Sequence, residues 1–201
     1  MKVVTHGQQM RVRIAQEAAR LMAQEGVKDF HAAKRKAAAH LGAPDTANMP
    51  RNLEVEEALQ ELHRIYGGDT QSEYLNQLRE VAIDAMKFLK DFHPRLVGSV
   101  LRGTAGEFAD INLHLFADTA EEVSVFLMDA NIPFETTTKK LRFGRDTWRE
   151  LPAFRFLAEE FPLELVVFPY KGRYEAPRSS VDGQPMQRAS VDEVLALLVL
   201  A

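Results

Sequence analysis

Two short runs of the chain carry residue types suited to a phosphate and to a metal ion. The first is Gly98-Ser99-Val100-Leu101-Arg102-Gly103-Thr104-Ala105, and the second, a few residues on, is Asp110-Ile111-Asn112-Leu113-His114. A Gly-Ser pair lets the main chain approach a ligand closely, offers N–H donors and adds a hydroxyl with little bulk. That suits the phosphate tail of a nucleotide. In an extended strand alternate side chains share a face, so Asp110, Asn112 and His114 project together, about 7 Å from one to the next at a rise of about 3.3 Å per residue. Oxygen ligands at that spacing suit Mg²⁺, whereas an imidazole prefers softer metals.

These side chains need strands to hold them, and the hydrophobic pattern supplies strands only in the second half of the sequence. Up to residue 93 the apolar residues recur at helix spacing: Ile14, Ala18, Leu21 and Met22, then Phe30, Ala33, Ala37 and Leu41, then Val55, Ala58, Leu59, Leu62 and Ile65. A fourth helix is predicted to start at a capping box, Thr70 with Glu73, and to run to His93-Pro94. Breaks are predicted at Gly26, from Gly42 to Pro50, and at Gly67-Gly68. Beyond Pro94 the period shortens to two. Arg95 to Val97 and Asp110 to Phe116 read as strands, followed by a helix capped by Asp118 or Thr119. Strands follow at Ala153 to Leu157 and Leu163 to Phe168, with another around Lys139 to Phe143. A final helix starts at Ser190 with Glu193 as capping partner, after a Pro- and Gly-containing surface stretch from Pro169 to Pro185.

The order of these elements resembles the polymerase-β-type nucleotidyltransferase fold. The likeness rests on a helix, a strand ending in Gly98-Ser99, an Arg102-Gly103 pair, the ten residues between Ser99 and Asp110, and a strand in which Asp110 alternates with apolar residues. It is clearest from Leu89 to Phe116. The resemblance implies an α+β fold: a basic helical region over residues 1–70, then a nucleotidyltransferase-like domain over 71–201 with a small mixed sheet and flanking helices. It further implies a third carboxylate in an apolar strand, supplied here by Glu164 in Leu163-Glu164-Leu165-Val166-Val167-Phe168. On that reading Asp110, Asn112 and Glu164 are the catalytic and Mg²⁺-holding residues. Gly98 and Ser99 cradle the phosphates, and Arg102, Lys139, Lys140 and Arg142 reach them. The reaction implied is transfer of a nucleoside monophosphate from a nucleoside triphosphate to a hydroxyl of an RNA or other acceptor. The sequence departs from the pattern at Asn112, where the family has a second carboxylate. An amide oxygen brings no negative charge, so metal affinity should fall. The alternative reading is therefore a catalytically degenerate protein of the same fold that binds a nucleotide or RNA.

Composition narrows the remaining classes. The 201 residues contain 25 Lys+Arg and 29 Asp+Glu, 46% hydrophobic residues and no cysteine, which excludes disulfide scaffolds, thiolate metal sites and thiol nucleophiles. No Gly-Lys-Ser or Gly-Lys-Thr loop, no Gly-x-Ser-x-Gly elbow and no His-Glu-x-x-His pair occurs, and the six histidines are scattered. No apolar run approaches a membrane span, and the expected location is cytoplasmic. The mildly acidic total hides segments of opposite sign. Residues 1–53 hold nine Lys/Arg against four Asp/Glu, and residues 54–93 hold four against nine. The basic helices, with Lys34-Arg35-Lys36 as the densest spot, are the expected RNA-contacting surface.

Overall fold

In the computed structural model the described residues are 6–44 and 46–199. Lys2 and Asp45, which enter the charge count of the basic segment, lie outside them. The chain divides into two compact units. The first comprises Met1–Ser72 with Gly106–Ala109 and Ser180–Asp182, and the second comprises the rest.

The first unit is helical because its apolar residues fall on one stripe of each helix. Helices α1 (His6–Glu25), α2 (Phe30–His40) and α3 (Asn52–Leu62) bury Ile14, Leu21, Val55 and Leu59 together with six alanines. Ala15, Ala18 and Ala19 on α1, with Ala33, Ala37 and Ala38 on α2, carry no bulk at the contact, which lets the helices approach closely. Asp29 caps α2 by accepting a hydrogen bond from the Ala32 N–H at 2.7 Å. The break expected at Gly67-Gly68 is present as a change of backbone conformation without a loop. A π-helical turn (His63–Gly67) extends α3, and Gly68, at φ +53° and ψ −153°, leaves the helical region where α4 (Gly68–Phe88) begins. The helix begins two residues before the expected Thr70 cap.

In the second unit a 3₁₀ turn (Lys90–Phe92) follows α4, and strand β1 (Arg95–Val97) leads into a single helical turn, α5 (Ser99–Arg102). Then come β2 (Ile111–Ala117), α6 (Ala120–Asp129), β3 (Glu135–Arg142), β4 (Trp148–Ala158), β5 (Phe161–Pro169), a 3₁₀ turn (Tyr170–Tyr174) and α7 (Val191–Val199). Both later helices start where the sequence says. Thr119 accepts from the Glu122 N–H, and Ser190 and Glu193 form a reciprocal cap. The five strands form one mixed sheet in the order β1-β2-β5-β4-β3, with β2 and β5 parallel and every other neighbour antiparallel.

Alternation gives this sheet two unlike faces. One carries Leu96, Ile111, Leu113, Leu115, Leu163, Leu165 and Val167, all buried, and α6 packs against β2 and β5. The other is aromatic at one end, where Phe116, Phe143, Leu151 and Phe168 cluster, and ionised at the other, where Asn112, Glu164 and Arg155 lie side by side in register. No helix among the described residues is long and apolar enough to cross a membrane.

Candidate functional site

The ionised end of the sheet is assembled by register. Asn112 on β2 sits opposite Val97 on one side and Glu164 on the other, and Glu164 in turn faces Arg155 on β4. Asp110 immediately precedes β2. The sequence therefore brings Asp110, Asn112 and Glu164 to one place, beside the end of β1 where Gly98 and Ser99 follow.

Gly98 adopts φ +80°, in the left-handed region that favours glycine, and this turns the chain out of β1 into α5. The Gly98 oxygen accepts from the Arg102 N–H at 3.1 Å and the Ser99 oxygen from the Thr104 N–H at 3.0 Å, so the turn is braced from within. Arg102 closes α5. Beneath it lies Arg79 of α4, a residue the sequence reading passed over. Its side chain is buried, and its Nε donates to the Val100 oxygen at 3.4 Å. Burial alone pushes its pKa down. Among the described residues no carboxylate pairs with it.

Glu164 is only 3% exposed, and both of its oxygens are engaged by cations. Oε2 accepts from Lys139 Nζ at 2.6 Å and Oε1 lies 3.2 Å from Arg155 Nε. The same guanidinium reaches Asp110, with Nη2 3.5 Å from Oδ2. Arg155 thus bridges the two carboxylates expected to hold metal. Asn112 turns its amide nitrogen to the Asp110 main-chain oxygen at 2.9 Å.

His114, the next residue along this face, is buried among Arg188 and Phe168. Arg188 Nε donates to its Nδ1 at 3.1 Å, which fixes the proton of the neutral ring on Nε2. Burial first, then the positive charges of Arg188 and Lys139, hold its pKa well below the ordinary histidine value. Arg188 stacks over Phe116 and Phe168 and donates to the Gly172 oxygen at 3.0 Å, with its own pKa lowered to about 10 by burial and by Arg95. His114 is a packing group here, buried against Phe168 and held by Arg188.

The three basic residues expected to act together do not. Lys139 faces Glu164. Lys140 projects from the opposite side of β3, its Nζ 5.8 Å from the centre of the Trp148 ring. Arg142 ends the strand, where its main-chain oxygen accepts from the Arg178 N–H. Arg155 was missed, although a lone cation in the apolar run Ala153-Phe154-Arg155-Phe156 is the kind of exception that marks a site. What the sequence alone does not show is the register that sets Arg155 against Glu164.

A divalent ion does not suit this arrangement. It would have to displace Lys139 and Arg155 from Glu164 and then sit beside both of them, with an amide where a second carboxylate would help. Among the described residues no group of three or more His, Asp or Glu is placed to hold a metal.

No protein-family profile matches the chain, and no curated protein matches it. Among solved structures, the chain is similar to that of Cid1, described by its RNA terminal uridylyl transferase activity, at 14% identity and a TM-score of 0.27. That superposition takes in 56% of this chain and 36% of the other.

Proposed function

We propose that the second unit is a nucleotidyltransferase-like domain that binds the phosphates of a nucleoside triphosphate beside Gly98 and Ser99 and does not carry out transfer. The observation that carries this reading is the ion-pair bridge from Arg155 to Asp110 and Glu164, set next to the Gly98 turn. The turn supports phosphate binding, since it brings main chain and the Ser99 hydroxyl to the edge of a site flanked by Lys139 and Arg155. The bridge argues against chemistry. Transfer needs a carboxylate free to take the proton of an acceptor hydroxyl, and Glu164 has both oxygens committed to cations.

Arg102 remains a candidate phosphate contact by its position at the end of α5, whereas Lys140 and Arg142 drop out of the proposed set. Thermal unfolding of the whole chain with each nucleoside triphosphate tests the reading. A ligand at about 100 times its Kd stabilises the folded state by about 2.7 kcal/mol. That is an upward shift of several degrees for a chain of this size. The shift should vanish in Gly98→Val, which forces a branched side chain into the left-handed region. No shift with any nucleotide overturns the proposal.

A further inference from the structure

We infer that Arg155 and Lys139 occupy the place of a divalent cation, so that the site takes its polyphosphate as the free anion and not as the metal complex. The ligand in this statement rests on the nucleotide reading above, while the part concerning metal rests on the charges alone. A carboxylate as buried as Glu164 requires a counter-charge, and the fold supplies two, one from β3 and one from β4. Arg155 also spans to Asp110, as an ion shared between two carboxylates would. Two cations against two carboxylates leave the cluster neutral.

The local balance is therefore the reverse of a metal site. An ion carrying two positive charges gains little attraction here and meets two resident cations, whereas a triphosphate meets partly exposed donors. Lys139 and Arg155 keep 43% and 49% of their side chains in solvent while bound to Glu164. Each has N–H groups beyond those Glu164 uses, and a guanidinium with one edge on carboxylates can present its other edge to phosphate oxygens. Asn112 fits the same logic. A carboxylate at that position would add a third negative charge and tip the cluster toward the metal.

Three titrations on the full chain test this. In the first, ATP and inorganic triphosphate are titrated by calorimetry with EDTA and again with excess Mg²⁺. Binding of the free forms at least tenfold tighter is expected. Equal or tighter binding with Mg²⁺ overturns the inference and leaves nucleotide binding standing. No binding of either compound in either form overturns both. In the second, Mn²⁺ alone is titrated into the wild-type protein and followed by its paramagnetic resonance signal. No binding below millimolar concentration is expected, and tighter binding that Glu164→Gln abolishes overturns the inference. In the third, Asn112→Asp combined with Arg155→Ser should create a site that takes Mn²⁺ at submillimolar concentration, with folding checked by circular dichroism. A folded double variant that gains no Mn²⁺ affinity overturns it. Should that variant fail to fold, the two wild-type titrations decide alone.

Discussion

The two units use charge in opposite ways. In the helical unit the cations of the basic segment are met at the surface. Arg11 pairs with Glu54, Arg20 with Glu17 and Glu25, and Lys36 with Glu25, while Lys34 donates to the Pro50 oxygen. In the sheet unit the telling cations are buried or half-buried. Arg79 and Arg188 have no carboxylate among the described residues, and Arg155 holds two carboxylates at once. Part of the segment that counts as most basic in the sequence is thus paired with its own neighbours. In the sheet unit, buried cations without a carboxylate partner among the described residues lie against the main chain, aromatic rings and His114. Segment charge locates lysines and arginines, but desolvation decides which of them still need an anion.

The sharpest way to break this contrast is to strip Glu164 of both partners. Lys139→Met with Arg155→Met leaves a buried carboxylate uncompensated and should cost about 3–5 kcal/mol. Adding Glu164→Leu removes the stranded charge and should recover most of that loss, even though three polar groups are then gone. The protein contains one tryptophan, Trp148 on β4, so its fluorescence during urea unfolding reads the sheet unit directly. A double variant that loses less than about 1 kcal/mol would show that water, and not the two cations, holds Glu164.

The contrast also predicts where acid acts. His114 is neutral in the folded state, with its pKa depressed, so below the unfolded histidine value near 6.5 the unfolded chain binds the extra proton. Stability of the sheet unit is full above that pH and falls as pH drops through it, by up to about 1.4 kcal/mol per pH unit. His63 of the π-helical turn, lowered by burial against a raising effect of Glu56, adds a smaller slope of the same sign in the helical unit. Glu17 and Glu54 behave differently. Arg20 and Arg11 respectively hold them near 2, so their contribution is present above about pH 4.5 and disappears between there and about pH 2. The Trp148 signal should lose stability between pH 6.5 and 5, and His114→Asn should flatten that decline. An unchanged slope in the variant assigns it elsewhere.

How much of this was legible in the sequence follows the range of the forces involved. Periodicity and capping are local, so the existence of the long helices and of the five strands, and the starts of α6 at Thr119 and of α7 at Ser190, were legible, whereas β3 and β4 begin four and five residues before the expected bounds and α5 was not expected. Asp110, Asn112 and Glu164, singled out from the spacing and the isolated carboxylate, lie side by side because strand order in this sheet sets β2 beside β5. Non-local pairing was not legible. Lys139 and Lys140 look alike in sequence, yet the pleat sends one to Glu164 and the other over Trp148. Arg79 and Arg188 carry no signal in the sequence, and Arg155 stands out only as a lone cation in an apolar run; register and burial show what each of them meets. The Gly67-Gly68 break was legible because it is local: Gly68 leaves the helical region at φ +53° and ψ −153°, between the π-helical turn and α4.

At the small end of the scale the contrast predicts near-indifference. Arg11 and Glu54 form a multiply bonded pair, but both side chains keep contact with solvent, and exposed pairs contribute about 0.2–1 kcal/mol. Arg11→Gln should therefore cost less than about 1 kcal/mol, and less still in 1 M salt, where screening shortens the reach of the charges. Glu54→Ala should cost more than Arg11→Gln. Besides the pair it removes the acceptor of the Arg51 N–H at 2.7 Å, which caps α3, a contribution of about 1 kcal/mol that salt does not erase. Helical ellipticity during urea unfolding, at low and high salt, separates the two effects. Equal costs for both variants would show that the ion pair alone accounts for Glu54. A cost above about 3 kcal/mol for Arg11→Gln would place the helical unit's charges in the same class as Glu164 and erase the distinction between the two units.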